Sequence, residues 1–179
     1  ERDEGIRPKM NQRLLDKLPS ALKEGGLLNA ANACTMNDGA AFVILCSSRY
    51  LTRHGISPVS AFRIEDATSI GDDPHMSPVS AVSAVKHLLG RTGHTMDEIG
   101  AVECNEAFAA IDVLCERNFP GIHYRYNIVG GALAYGHPYG ASGAIILLHL
   151  MKAMEHTNSK KGICAIAAAG GIGSAVLLR

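Results

Sequence analysis

Residues 162–179 read GICAIAAAGGIGSAVLLR, two apolar runs at 163–169 and 172–178 joined by Gly170-Gly171. Each run has the length of a strand and is apolar at nearly every position instead of every second one, the pattern of a strand covered on both faces. Paired glycines reverse a chain tightly. The stretch is therefore predicted to be a hairpin inside a sheet with helices on both sides.

Working back from that hairpin, residues 141–155 have helical spacing and are rich in Ile and Leu, and residues 126–129 are strand-like. Residues 106–117 have helical spacing and follow a short apolar run at 101–104, which Thr95 and Glu98 introduce at capping-box spacing. Ser77 and Pro78 offer an N-cap and a helix-initiating proline for a helix over 79–89, with Gly90 just beyond. Further strands are expected over 59–70 and over 39–47 (GAAFVILCS), the latter followed by a helix over 48–54 that Gly55 closes. Leu14, Leu15, Leu18 and Leu22 share one helical face, and Gly25-Gly26 ends that segment. Strands alternating with helices and finishing in a hairpin imply an α/β domain with a mixed sheet. Residues 1–28 are read as the end of a preceding region and residues 29–179 as the domain.

With 179 residues, 47% hydrophobic and 19% charged, the chain can bury the core of one ordinary domain. Lys plus Arg balances Asp plus Glu at 17 each, so no net field favours nucleic acid or an anionic membrane. Its apolar runs fall well short of the roughly 20 residues that span a bilayer. Five cysteines without C-x-x-C or paired-histidine spacing suggest no metal and a reducing, cytoplasmic setting. The opening ERDEGIRPKMNQRL has neither an apolar core nor an Arg-rich amphipathic pattern, so it reads as a cut end and not as a targeting segment.

Two segments carry chemistry. Asn105-Glu106-Ala107-Phe108-Ala109 puts a polar pair where an apolar strand gives way to a helix, the rim at which α/β proteins collect ligands, although Asn105 could also be a helix cap. Residues 130–144, GGALAYGHPYGASGA, set five glycines around His137 and Pro138. Glycine lets backbone approach a ligand, and proline stiffens the turn that presents the imidazole. No Lys follows at the spacing of a phosphate-binding loop.

NEAFA, GGALAYGHPYGASGA and the terminal AAAGGIG (167–173) resemble three successive signature segments of thiolases, and residues 32–41 (NACTMNDGAA) resemble the segment before them. The resemblance covers essentially the whole chain. It implies the C-terminal half of a thiolase-like fold and an enzyme that transfers acyl groups between acyl-CoA thioesters by Claisen condensation or thiolysis. Coenzyme A would be substrate or product, no cofactor would be bound, and the enzyme would be a homo-oligomer. The acyl-accepting cysteine would lie in the N-terminal half, which is missing here, so the chain alone is expected to be inactive.

Residue by residue, His137 matches the histidine that activates that cysteine and helps hold the thioester oxygen. Asn105 matches the position that fixes a water as the other donor to the oxyanion. Phe108 would wall the acyl group, Met36 and Met76 would line the pantetheine and acyl channel, and Cys34 stands where the family has a serine near the pantetheine. The second catalytic cysteine, which moves a proton on the substrate's α-carbon, falls on Ala167. The glycine of the second oxyanion hole falls on Ala169, which is poorly tolerated if that position needs positive φ. Cys104 and Cys164 are the candidates to replace the lost cysteine. Ala167 also leaves room for a decarboxylating condensing enzyme that uses Cys, His137 and Asn105, or for a silent assembly partner of the same fold.

Overall fold

A computed structural model describes Ile6 and residues 9–179; the start of the opening segment lies outside the described residues. The two terminal runs form strands β3 (Gly162–Ala168) and β4 (Ile172–Leu178), antiparallel with Ala168 opposite Ile172. Gly170 and Gly171 turn the chain at φ +86° and +78°, values at which a side chain would be strained. Strand β1 (Ile64–Gly71) pairs antiparallel with β4, and β2 (Ala101–Cys104) pairs parallel with β3, giving the order β1-β4-β3-β2 among the described residues.

Helices cover both faces. Helix α3 (Val79–Thr92) packs on β4, β3 and β1, while α6 (Tyr139–Thr157) packs on β2 and β3. Strand residues divide accordingly: Ile163, Ala165, Ala175 and Leu177 join Val85 and Leu88 of α3, whereas Cys164 and Leu178 join Ile146 and Leu150 of α6. Each fully buried Leu or Ile on these faces contributes roughly 1.5–3 kcal/mol relative to exposure. The double-sided burial is what makes the strands read as unbroken apolar runs. Helix α4 (Ala109–Asn118) lies on the α3 side through Ile111 and Cys115.

Several expectations change in detail. The strand expected from residue 59 begins at Ile64. Helix α3 runs through Gly90 and ends at Gly93, which is left-handed at φ +74°. Ser77 gives α3 no side-chain cap; its hydroxyl instead accepts from the Gly171 N–H at 3.0 Å, tying the hairpin turn to the start of the helix. The capping box of Thr95 and Glu98 is present, on a short 3-10 turn. The Leu14 to Leu22 face supports only a four-residue helix, α1 (Gln12–Leu15).

Two strand expectations are not met. Residues 126–129 form no ladder; Tyr126 makes a single bridge with Val102. Residues 39–47 form no strand, and Phe42, Ile44 and Leu45 are 89%, 91% and 72% exposed. The helix after them, α2 (Ser48–His54), forms with Ser47 as its cap and Gly55 left-handed at its end.

Candidate active site

Strand β2 carries the first loop of the site. Its parallel pairing with β3 extends one residue beyond the strand, because Asn105 N–H donates to the Ala165 carbonyl at 3.0 Å. Asn105 does not cap α4, whose N-cap position is Phe108. Instead its side chain is buried against His137, with Asn105 Nδ2 3.2 Å from His137 Nε2.

The glycine-rich loop delivers His137. A short helix, α5 (Ala132–Tyr135), ends at Gly136 with φ +91°, where a Cβ would overlap the side chain of Asn37. His137 is buried: its N–H donates to the Thr35 carbonyl at 2.8 Å, and Nδ1 lies 2.6 Å from the Ser142 hydroxyl on the first turn of α6. The Tyr139 ring meets the imidazole edge-on at 4.6 Å. Burial pushes the His137 pKa down, so the ring is neutral at neutral pH. Both ring contacts are satisfied together when Nδ1 carries the proton to Ser142 and Nε2 accepts from the Asn105 amide.

Residues 32–37 strap the two loops together. Ala109 N–H donates to the Asn32 carbonyl at 2.9 Å and Cys34 N–H to the Ala107 carbonyl at 3.1 Å. Ala33 bridges Phe108 antiparallel, and Met36 bridges His137 in parallel. An open cleft of about 470 Å³ lies beside this strap, lined by Met36, Asp38, Gly39, His137, Pro138 and Tyr139 among others. A second cavity of about 490 Å³ sits against α4 with Asp112, Tyr126 and His123 in its wall. His137 belongs to the first cleft alone, which makes that cleft the chemically relevant one.

Of the residues singled out from the sequence, Asn105, His137, Phe108, Cys34 and Met36 are thus brought to one place. Met36 is exposed on the rim, and Cys34 is half-buried with its thiol pKa raised by burial. Met76 is exposed on a 3-10 turn ahead of α3 and does not line the cleft. Ala167 is on β3 opposite Gly173 and packs toward the α3 core. Ala169 is not strained: among the described residues only Asn127 and Asn158 are non-glycines with positive φ, and Gly170 and Gly171 take the left-handed positions of that turn.

Neither candidate replacement cysteine reaches the cleft. Cys104 is buried in the α3 core with its Sγ 3.6 Å from that of Cys115, and Cys164 is buried under α6 with its pKa pushed up to about 12. Sequence reasoning missed Ser142, which lies inside the glycine-rich stretch five residues after His137, and Thr35, a small polar residue whose role arises only when a distant segment meets that stretch. It also missed Glu103, which is buried on β2 with one carboxylate oxygen unpartnered, though a lone charge in an apolar run was a visible signal.

The family model described as "Thiolase, C-terminal domain" matches residues 59–179, and that described as "Thiolase, N-terminal domain" matches residues 1–49. The chain belongs to the thiolase family. It is 38% identical over 176 residues to an acetyl-CoA acetyltransferase of Pseudomonas aeruginosa, covering 98% of this chain and 44% of that protein. It is 33% identical over 177 residues to human mitochondrial 3-ketoacyl-CoA thiolase, covering 99% and 44%. Among solved structures it matches the Bacillus anthracis acetyl-CoA acetyltransferase with a TM-score of 0.90 at 29% identity, over 98% of this chain and 44% of that one. It matches human mitochondrial 3-ketoacyl-CoA thiolase in complex with CoA with a TM-score of 0.86 at 32% identity, over 98% and 44%. The chain spans less than half the length of these thiolase relatives. The apolar run at 39–47, which forms no strand, falls in the part that matches the N-terminal domain.

Proposed function

We propose that this chain supplies the histidine and asparagine of a thiolase-type acyl-CoA acyltransferase site, and that the acyl-accepting cysteine comes from an N-terminal half. The contact of Asn105 with His137 carries this reading. A neutral imidazole accepts a proton from the cysteine thiol, the resulting thiolate adds to the thioester carbonyl, and CoA leaves as its thiolate with a proton returned by the imidazolium. Asn105 would fix a water as the other donor to the oxyanion, a role in which losing one donor typically costs about 2.7–4 kcal/mol in barrier. Phe108 would wall the acyl group, Met36 would line the pantetheine and acyl channel, and Cys34 would lie near the pantetheine.

Ala167 favours a second reading of the later step. An alanine holds no proton for the substrate's α-carbon, so a malonyl-type thioester that loses CO2 would supply the carbanion without a base there. Turnover of acetoacetyl-CoA with CoA, compared with malonyl-CoA, by the polypeptide that includes its N-terminal half distinguishes the two. Activity on acetoacetyl-CoA supports thiolysis, activity on malonyl-CoA supports decarboxylation, and activity on neither supports a silent partner.

The bonds of residues 32–36 to both loops support a domain division at 28/29, whereas the family models change over between residues 49 and 59. Five free thiols support a reducing, cytoplasmic setting. The exposed side chains of Phe42, Ile44 and Leu45 support assembly, both with the N-terminal half and into a homo-oligomer. No described helix is long and apolar enough to cross a membrane.

A further inference from the structure

We infer that Glu106 and Asn127 form a clamp that sets the spacing of Asn105 and His137, which makes Glu106 a positioning residue of the site. The two site residues sit on loops 32 positions apart in sequence. Something must hold those loops in register if an amide and an imidazole are to stay within hydrogen-bond reach.

Asn127 does this on the β2 side. It adopts φ +46°, a conformation that asparagine tolerates better than most residues. Its N–H donates to the Val102 carbonyl at 2.9 Å. Its side chain then mimics a neighbouring strand: Oδ1 accepts from Cys104 N–H at 2.8 Å, and Nδ2 donates to the Cys104 carbonyl at 3.0 Å. The peptide leading into Asn105 is thereby fixed where the β ladder has ended.

Glu106 completes the link. Oε1 accepts from Asn127 Nδ2 at 2.7 Å, and Oε2 accepts from Leu133 N–H, in the first turn of α5, at 3.1 Å. Gly131 lies so close that a Cβ there would overlap the carboxylate. From Leu133 the chain has one turn of helix before Gly136 and His137. A single carboxylate therefore ties the residue after Asn105 to the helix that presents His137. With both oxygens engaged by these donors, Glu106 acts through the loops and not on a substrate.

The inference rests on Asn105 and His137 working as a pair, but its test needs no turnover, so it fails or stands apart from the proposed activity. The experiment is an NMR pH titration of the 179-residue chain, following the His137 ring and the Asn105 side-chain amide, with His94 as internal control. His94 is bonded to Glu65 in a separate cluster. In Glu106→Gln one acceptor becomes a donor, so the His137 midpoint is expected to rise toward the ordinary value of about 6.5 by roughly half a unit, about threefold in protonation constant. The Asn105 amide signals should move with it and His94 should not. Gly131→Ala, which displaces the carboxylate without removing it, should do the same and decides the question alone if Glu106→Gln fails to fold. A merely structural Glu106 would lower stability and leave the His137 midpoint in place. Unmoved His137 and Asn105 signals in a folded variant overturn the inference.

Discussion

Asn105 Nδ2 lies 3.2 Å from His137 Nε2, joining the end of β2, an edge strand among the described residues, to the turn before α6. The contact uses the imidazole nitrogen left free of a proton when Nδ1 is bonded to Ser142. Three side chains from two loops and a helix therefore fix which nitrogen of His137 is basic.

Ser142→Ala tests that arrangement. The substitution leaves a buried Nδ1–H without an acceptor, which is expected to cost about 1–3 kcal/mol in denaturant unfolding. The ring 15N shifts should also show a mixture of tautomers in place of one. A single unchanged tautomer would mean that Asn105 alone orients the ring.

Glu103 sets a pH dependence of stability. Burial, with the nearby charge of Glu106, raises its pKa from 4.5 to about 8. The unfolded chain releases this proton first, so the favourable contribution is fully present below about 4.5 and is lost as pH rises to about 8. The slope in that window approaches 1.4 kcal/mol per pH unit. Glu103→Gln should remove the slope, stabilising the chain more at pH values near 8 than near 5, as measured by urea unfolding across pH. Parallel profiles for the two proteins would show that Glu103 ionises freely in the fold.

The parts of the fold legible in the sequence are those whose burial is internal to it. Residues 163–167 and 101–104 read as strands because both faces are covered by this chain's own helices. Residues 39–47 carry the same signal, yet among the described residues Phe42, Ile44 and Leu45 stay exposed, while Ala41 and Val43 are only half-buried. An apolar run records that burial is needed and not which segment provides it. Residues 126–129 escaped for the opposite reason, since Asn127 satisfies β2 through its side chain and not through a ladder. His137 and Asn105 stood out through their unusual loops, while the strap at residues 32–36 acquires its meaning only from the bonds it makes with both.

The uncovered run should make the chain self-associate. Phe42, Ile44 and Leu45 present adjacent apolar side chains, with Leu148 of α6 also exposed. Phe42→Asp with Ile44→Asp is expected to shift analytical ultracentrifugation profiles toward monomer. Unfolding stability should change by less than about 0.5 kcal/mol, because these side chains pack on little. A monomeric starting protein, or a large loss of stability, would show that the run is buried in solution.

The most direct test is the first half-reaction, the CoA released when acetyl-CoA acylates the polypeptide that carries its N-terminal half. On the proposed mechanism it needs His137 but no base at position 167. CoA release in the first turnover is expected, reduced by about 10²–10⁴-fold in His137→Ala, the range over which a positioned general base contributes, with the 179-residue chain alone at background. First-turnover release that is indifferent to His137→Ala, or that the 179-residue chain performs unaided, would contradict the assignment of this site.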